Sequence, residues 1–282
     1  MHKIIFKFLL VYSCFFLCCK SEPIKKEELT TGVVTATLDK PASSDTSKYP
    51  AGPILVFTKT AGFRHESIPA GVKMMEKICA DLNISMFHSE DANIFTDENI
   101  GKFRIIMFLN TSGDILNDEQ QKAFVHMMDR GAYFMGIHAA ADTEHDWPWY
   151  GFLVGAYFKD HPAICKAKCK KMISNLPGGK DLPDVWERTD EWYNYEFIHD
   201  DFKVLMQLDE TSYKGGTNGE KHPIIWFSKH NGKSLVYYNG MGHTIESYTE
   251  PLFVNQIKNA IQNFYEIYQI YMEKQAEKGK PI

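Results

Sequence analysis

The stretch Gly131-Ala-Tyr-Phe-Met-Gly-Ile-His-Ala-Ala-Ala-Asp142 constrains the fold more than any other part of the chain. Its short apolar run, unbroken to Ile137, reads as a strand buried on both faces, the habit of parallel sheets covered by helices. Ligands of such sheets bind beyond the carboxyl ends of the strands. The first polar side chain after the run is His138, at a strand-to-helix turn where enzymes of this architecture often set a nucleophile. No Ser or Cys stands between it and Asp142. An imidazole can bind a metal, shuttle a proton or donate a hydrogen bond, but it is a poor acyl-transfer nucleophile.

The flanking sequence supports the same architecture. Pro53-Ile-Leu-Val-Phe57, Ile84-Ser-Met-Phe87 and Arg104-Ile-Ile-Met-Phe-Leu109 read as further strands. A helix starting near Ser67 sets Ile68, Val72, Met75, Cys79 and Leu82 on one face. A second has Asn117 as N-cap, Gln120 at its third position, Phe124, Met127 and Met128 inward, and Gly131 at its left-handed end. This alternation predicts an α/β fold, a doubly wound and mostly parallel sheet flanked by helices. The C-terminal half adds strands near 163–172, 203–209, 223–229 and 233–239, with turns at Pro177-Gly-Gly and Gly215-Gly216. A helix from Pro251 to Met272 closes the fold, with Phe253, Ile257, Ile261 and Phe264 inward. Trp and Tyr concentrate in loop-like segments between residues 145 and 195, a composition that suits sugar recognition and ordinary packing alike.

The N-terminus reads as an export signal: Lys3 and Lys7, an apolar core from Phe8 to Leu17 too short to span a bilayer, then Cys18-Cys19. Cysteine at the end of such a core resembles the lipobox of bacterial lipoproteins, with Cys18 or Cys19 as acceptor. Cys14 fits less well, because Phe15-Phe16-Leu17 would stay on the mature chain. An ordinary cleaved signal is the alternative. The expected organisation is a signal over 1–19, a Lys/Glu/Ser/Thr/Pro-rich tether over 20–51, one α/β domain over 52–272 and a charged, frayed tail over 273–282. The domain's span of about 220 residues suffices for one substantial core. The expected location is outside the cytoplasm, lipid-anchored and facing the periplasm or cell surface. With a net charge of -5 and no basic cluster interleaved with aromatics, nucleic acid is excluded as a partner. Outside the signal only Cys79, Cys165 and Cys169 remain, an odd number that argues against a disulfide framework. Cys165 and Cys169 share a strand face but lie about 13 Å apart, so they read as small core residues.

Protonatable groups recur at expected strand ends: Arg64 and His65, His138 and Asp142, His161, Glu191 with Tyr193, and His243. Strand carboxyl ends converge on one rim in a doubly wound sheet, so His65 and His138 are expected to face one cleft. No histidine spacing matches His-Glu-x-x-His or Cys-x-x-Cys, so any metal site must be assembled from distant segments. His88, His126, His145, His199, His222 and His230 read as structural. Asp190 and Glu191 could also be a solvated acidic pair.

Thr60-Ala-Gly-Phe-Arg-His65-Glu-Ser-Ile68, Gly136-Ile-His138-Ala-Ala-Ala-Asp142-Thr143 and Trp149-Tyr-Gly-Phe-Leu-Val-Gly-Ala-Tyr-Phe158 occur in order. His161-Pro162, Asp190-Glu191-Trp-Tyr193, Pro223-Ile-Ile-Trp226 and Gly242-His243 follow. Together, from about Pro53 to Phe264, they resemble the trehalose-utilisation (ThuA-like) family. That resemblance implies a fold similar to class I glutamine amidotransferases and flavodoxin-like sheets. It also implies a small carbohydrate ligand, a disaccharide or its oxidised 3-keto derivative. Where the amidotransferase relatives carry a cysteine nucleophile this chain has His138, which rules out glutamine hydrolysis through a thiolate. Ser234-Leu235 replaces a glycine-arginine pair common in the family. The chain has no Gly-x-Gly-x-x-Gly fingerprint, so hydride transfer from a dinucleotide is not expected. The leading expectation is a sugar hydrolase or isomerase with His138, His161 and Glu191 catalytic. Arg64, His65, Asp142, Tyr193 and His243 are its substrate-binding residues, and a divalent metal such as zinc is the candidate cofactor. The alternatives are a non-catalytic sugar-binding lipoprotein serving a partner enzyme or transporter, and a structural envelope protein with a relict cleft.

Overall fold

The computed structural model describes residues 52–278. The signal, the candidate acceptors Cys18 and Cys19, and the tether up to residue 51 lie outside the described residues. The strands are β1 (Ile54–Phe57), β2 (Met86–Ser89), β3 (Ile105–Leu109), β4 (Tyr133–Ile137), β5 (Ala156–Asp160) and β6 (Cys165–Lys171). They continue with β7 (Val185–Asp190), β8 (Asn194–Phe197), β9 (Lys203–Asp209), β10 (Pro223–His230) and β11 (Ser234–Asn239). The helices are α1 (Ile68–Leu82), α2 (Asp97–Ile100), α3 (Asp118–Asp129), α4 (Pro148–Val154) and α5 (Pro251–Lys278).

The main sheet has the order β2-β1-β3-β4-β11-β10-β9-β6-β7, and β5 pairs with β8 in a separate ribbon. From β2 through β11 the pairings are parallel. From β11 to β7 each pairing is antiparallel, the strands added by the C-terminal half. Four reversals restore the direction of β4, so β1, β4, β11 and β7 all end at the same edge.

The unbroken apolar strands β1, β3 and β4 are buried along their whole length, because helices cover both faces. Side chains alternate between the two layers. Phe108 stacks on Phe124 of α3 and Tyr150 of α4, and Phe134 packs against the same two rings at steeper angles. Facing the other way, Tyr133 packs on Phe264 of α5, and Leu109 meets α1 at Gly71, where a Cβ would come within 2.9 Å of it. Each such buried ring or branched chain contributes roughly 1.5–3 kcal/mol. Beyond β11 the code changes. In β6 and β7 buried and exposed residues alternate, as in antiparallel strands with one solvated face.

The capping box of α3 forms as expected, with the Asn117 and Gln120 side chains each accepting the other's backbone N–H. Ser67 precedes α1 but does not cap it; its hydroxyl instead contacts the Gly242 carbonyl and accepts from Asn110. The strand expected at 84–87 lies at 86–89. The strand expected near 163–172 is β6, but the segments around it between residues 145 and 195 are not loop-like: they contain α4, β5, β7 and part of β8. The seven-residue α4 is too short to show a helical period, and β5 and β8 are brief strands pairing only with each other. Helix α5 runs past Met272 through Lys278, so residues 273–278 are helical rather than a frayed tail. Cys79, Cys165 and Cys169 are free, with Cys79 and Cys169 buried.

Candidate metal and acid-base centre

Above the shared strand edge, four loops bring imidazoles to one carboxylate. His138 follows β4 directly and has a left-handed backbone, φ 47, a strained conformation for a residue with a Cβ. Its Nδ1 lies 2.9 Å from the Gly240 carbonyl, to which it can only donate. That fixes Nδ1 as a donor: in the neutral ring the Nε2 lone pair faces the cluster, and in the protonated ring Nε2–H points to Glu191. Nε2 sits 3.3 Å from His243 Nδ1 and 3.4 Å from Glu191 Oε2, and His243 Nδ1 is 3.0 Å from that same oxygen. His65 closes the group, its ring centroid 5.0 Å from that of His138 and 4.9 Å from that of His243. One ligand atom from each of His65, His138, Glu191 and His243 lies within 4.8 Å of the others. His161 adds a fifth group from the rim, with Nδ1 3.0 Å from Glu191 Oε1 and the side chain 41% exposed.

Three of these four donors are spaced as on one face of a tetrahedral divalent ion, with the His65 atom within 4.8 Å of them. Donors about 2.0–2.1 Å from zinc lie about 3.3 Å from each other, as the three contacts among His138, His243 and Glu191 do. A buried, partnerless polar atom supports the fit: His65 Nδ1 has no hydrogen-bond partner. Burial, reinforced by the charges of His138 and His243, lowers the His65 pKa to about 3, so the ring is neutral and able to ligate at physiological pH. Burial would push the Glu191 carboxyl up, but hydrogen bonds and charge from His138 and His243 together hold it well below the usual carboxylate range. For His243 burial works downward and is outweighed by the Glu191 contact and the Asp190 charge, which raise it.

Asp190, the last residue of β7, holds the loops in register. Its fully buried carboxylate accepts from the backbone N–H groups of Glu191, Gly242 and His243, from Ser247 Oγ and from Arg188. Gly242 must be glycine here: its φ is 113, and a Cβ would sit 2.9 Å from the Tyr248 hydroxyl. Tyr193 lies under His138 with ring centroids 4.2 Å apart, fixing the imidazole plane.

The structure therefore joins His65, His138, His161, Glu191, Tyr193 and His243 in one site. Arg64 is not part of it; its guanidinium reaches outward to Glu90 at 2.6 Å. Asp142 pairs with His145 at 3.1 Å and makes no contact with the four ligand atoms. Asp190 and Glu191 are buried rather than a solvated pair. Trp192 is fully buried, donating to the Cys165 carbonyl, and Trp147 and Trp149 pack on Phe124, so these tryptophans serve the core. Sequence reasoning missed Arg188, Asp190 as the anchor, and Phe63, which is 63% exposed beside His65 with ring centroids 4.9 Å apart. The signal for the first two was present: an Arg and an Asp two residues apart on an alternating strand share a face.

A doubly wound α/β domain with imidazoles and a carboxylate gathered at its strand ends is the class of protein that fold and site define. The family model described as trehalose utilisation, ThuA, matches residues 53–263, and the chain belongs to that family. The family carries a role in carbohydrate utilisation. A ThuA-like protein from Bacteroides uniformis is 22% identical, with 80% of this chain and 95% of that one covered at a TM-score of 0.67. One from Parabacteroides merdae is 14% identical, covering 74% and 88% at a TM-score of 0.60. At these identities the likeness is one of fold. No curated protein matches the sequence.

Proposed function

We propose that the chain is an exported, lipid-anchored enzyme acting on a disaccharide or its keto derivative, by acid-base and metal-assisted hydrolysis or isomerisation. The observation that carries this reading is the triangle of donor atoms 3.0–3.4 Å apart on His138, His243 and Glu191, with buried His65 beside it. A divalent ion held by these four residues would polarise a carbonyl or hydroxyl oxygen of the sugar.

The chain's own groups divide the remaining work. The Gly240 carbonyl and Tyr193 ring hold His138 in one tautomer and one plane. Asp190 fixes the backbone beneath Glu191 and His243, so the cluster needs little reorganisation when substrate arrives. His161, half-exposed with Nδ1 3.0 Å from the outer oxygen of Glu191 and 2.9 Å from the Pro162 carbonyl, exchanges a proton with a substrate hydroxyl or α-carbon. Phe63 offers an exposed aromatic face to the apolar side of a sugar ring. Export rests on the N-terminal sequence; among the described residues no helix is long and apolar enough to cross a membrane.

The test pairs elemental analysis with turnover of oxidised and unoxidised disaccharides. Wild-type protein should carry one divalent ion and convert substrate. His138→Ala should lose both properties, whereas His161→Gln should keep the ion and lose turnover. Unchanged turnover in a folded His138→Ala variant rejects the assignment. The exposed Phe63 also favours a second reading, a non-catalytic sugar-binding lipoprotein. Calorimetry separates the two, since sugar binding by metal-loaded protein with no product formed selects the binder.

A further inference from the structure

At the opposite edge of the sheet, where the parallel strands begin, four cations from three separate segments meet. Arg104 precedes β3, Arg130 ends α3, Lys229 lies on β10 and Lys233 on the turn into β11. They line a cavity of about 360 Å³ that no carboxylate lines. Two acids close to Arg130 also have other partners. Asp129 is engaged by His230 and Asn231, while Asp97 is 3.0 Å from His126 and only 4.0 Å from Arg130. Among the described residues no ion pair engages Lys229 or Lys233. In a chain of net charge -5 this is a local field of opposite sign.

Arg104 is already engaged within the domain. Its guanidinium lies 3.7 Å from the Tyr268 ring centroid and donates to the Gly131 carbonyl at 3.1 Å. Beside the cations, the last turns of α5 expose Ile267, Ile270, Tyr271 and Met272, each between 38% and 52%. A free phosphate has no use for such a rim. Cations with Tyr and aliphatic residues interleaved suit a bilayer interface, where heads are anionic and the layer beneath is apolar.

Chain connectivity points the same way. Arg104 N–H donates to the Pro53 carbonyl and the Tyr265 hydroxyl donates to that of Gly52, so the first described residues join the domain beside the cavity. The lipid-anchored tether proposed above would join the domain here and would keep the cavity at high effective concentration near the surface that holds it.

We infer that this edge is a second binding site, taking the phosphate-bearing headgroups of anionic membrane lipids while the imidazole edge is left open to substrate. Each basic residue near an anionic surface strengthens binding about five-fold at moderate salt.

The experiment is partitioning of the full chain onto vesicles of phosphatidylcholine alone and of phosphatidylcholine with roughly 30% phosphatidylglycerol. Any anchor acts on both, so the ratio between them reads the headgroup term. Wild type should prefer the anionic vesicles, and Lys229→Gln with Lys233→Gln should cut that preference roughly 25-fold. Both lysines are exposed, and an unchanged near-UV circular dichroism spectrum confirms folding. Ile270→Ser with Tyr271→Ser should weaken partitioning onto both vesicles, and no effect of this pair rejects the apolar rim. Equal partitioning of wild type overturns the inference, as does a preference that survives the lysine changes. Saturable binding of soluble glycerol phosphate without vesicle preference also overturns it, assigning the cavity to a free phosphate ester.

Discussion

The two edges of one sheet handle charge in opposite ways. At the carboxyl edge Asp190, Glu191, His65 and His138 are nine-tenths or more buried, and the carboxylates face several donors each. At the amino edge Arg130, Lys229 and Lys233 stand in solvent around a cavity with no acid. Buried charge is costly to create and strong once made, because the surroundings cannot screen it. Exposed charge costs little, acts over several ångströms and weakens with salt. The first arrangement suits chemistry at a fixed point, the second recognition of a surface.

The contrast can be broken at its strongest member first. Glu191→Gln should lower turnover of an oxidised disaccharide by about 100- to 10,000-fold, the span of a lost acid-base or ligand group, read by product formation under saturating substrate. Arg188→Leu should destabilise the fold by about 3–5 kcal/mol, since it leaves the Asp190 carboxylate buried without its cation; urea denaturation measures it. A loss below about 1 kcal/mol would mean that Asp190 is solvated in solution. Chelation should then lower the melting temperature, because an ion present at 100 times its dissociation constant adds about 2.7 kcal/mol. The Lys229→Gln, Lys233→Gln protein should show the same chelator shift as wild type, as the two edges share no residue. The smallest effect sharpens the comparison: raising salt from about 0.15 M to 1 M shortens screening from about 8 to 3 Å. That should abolish anionic-vesicle preference and leave turnover within about two-fold. Equal salt sensitivity at both edges would remove the distinction.

Much of the carboxyl edge was legible in the sequence because local pattern encodes it. The unbroken runs before His138 and after Pro53 define buried parallel strands, and their ends must share a rim, so the meeting of His65 with His138 follows from periodicity and topology. His161, Glu191 and His243 read as protonatable groups at expected strand ends, but their convergence needed β7 to regain the direction of β4 after four antiparallel steps. Arg64 misled because it adjoins His65 in sequence; a neighbour on an extended loop points the opposite way, here to Glu90. The aromatic-rich segment misled for a related reason. Composition reports how many tryptophans a stretch holds, not which face they occupy, and Trp192 proved to be wholly interior.

By itself the sequence determined the α/β class, the position of the elbow at His138, the capping of α3 and the inward stripe of α5, all set by interactions within a few residues along the chain. Only the tertiary structure decided that Asp190 ties two loops together, that His161 stands at the mouth of the site, and that Arg104, Arg130, Lys229 and Lys233 form one cavity. Lys229 and Lys233 apart, which share one hairpin, those groups come from segments tens to more than a hundred residues apart, and their electrostatic coupling depends on separations in space that the packing of the sheet alone sets.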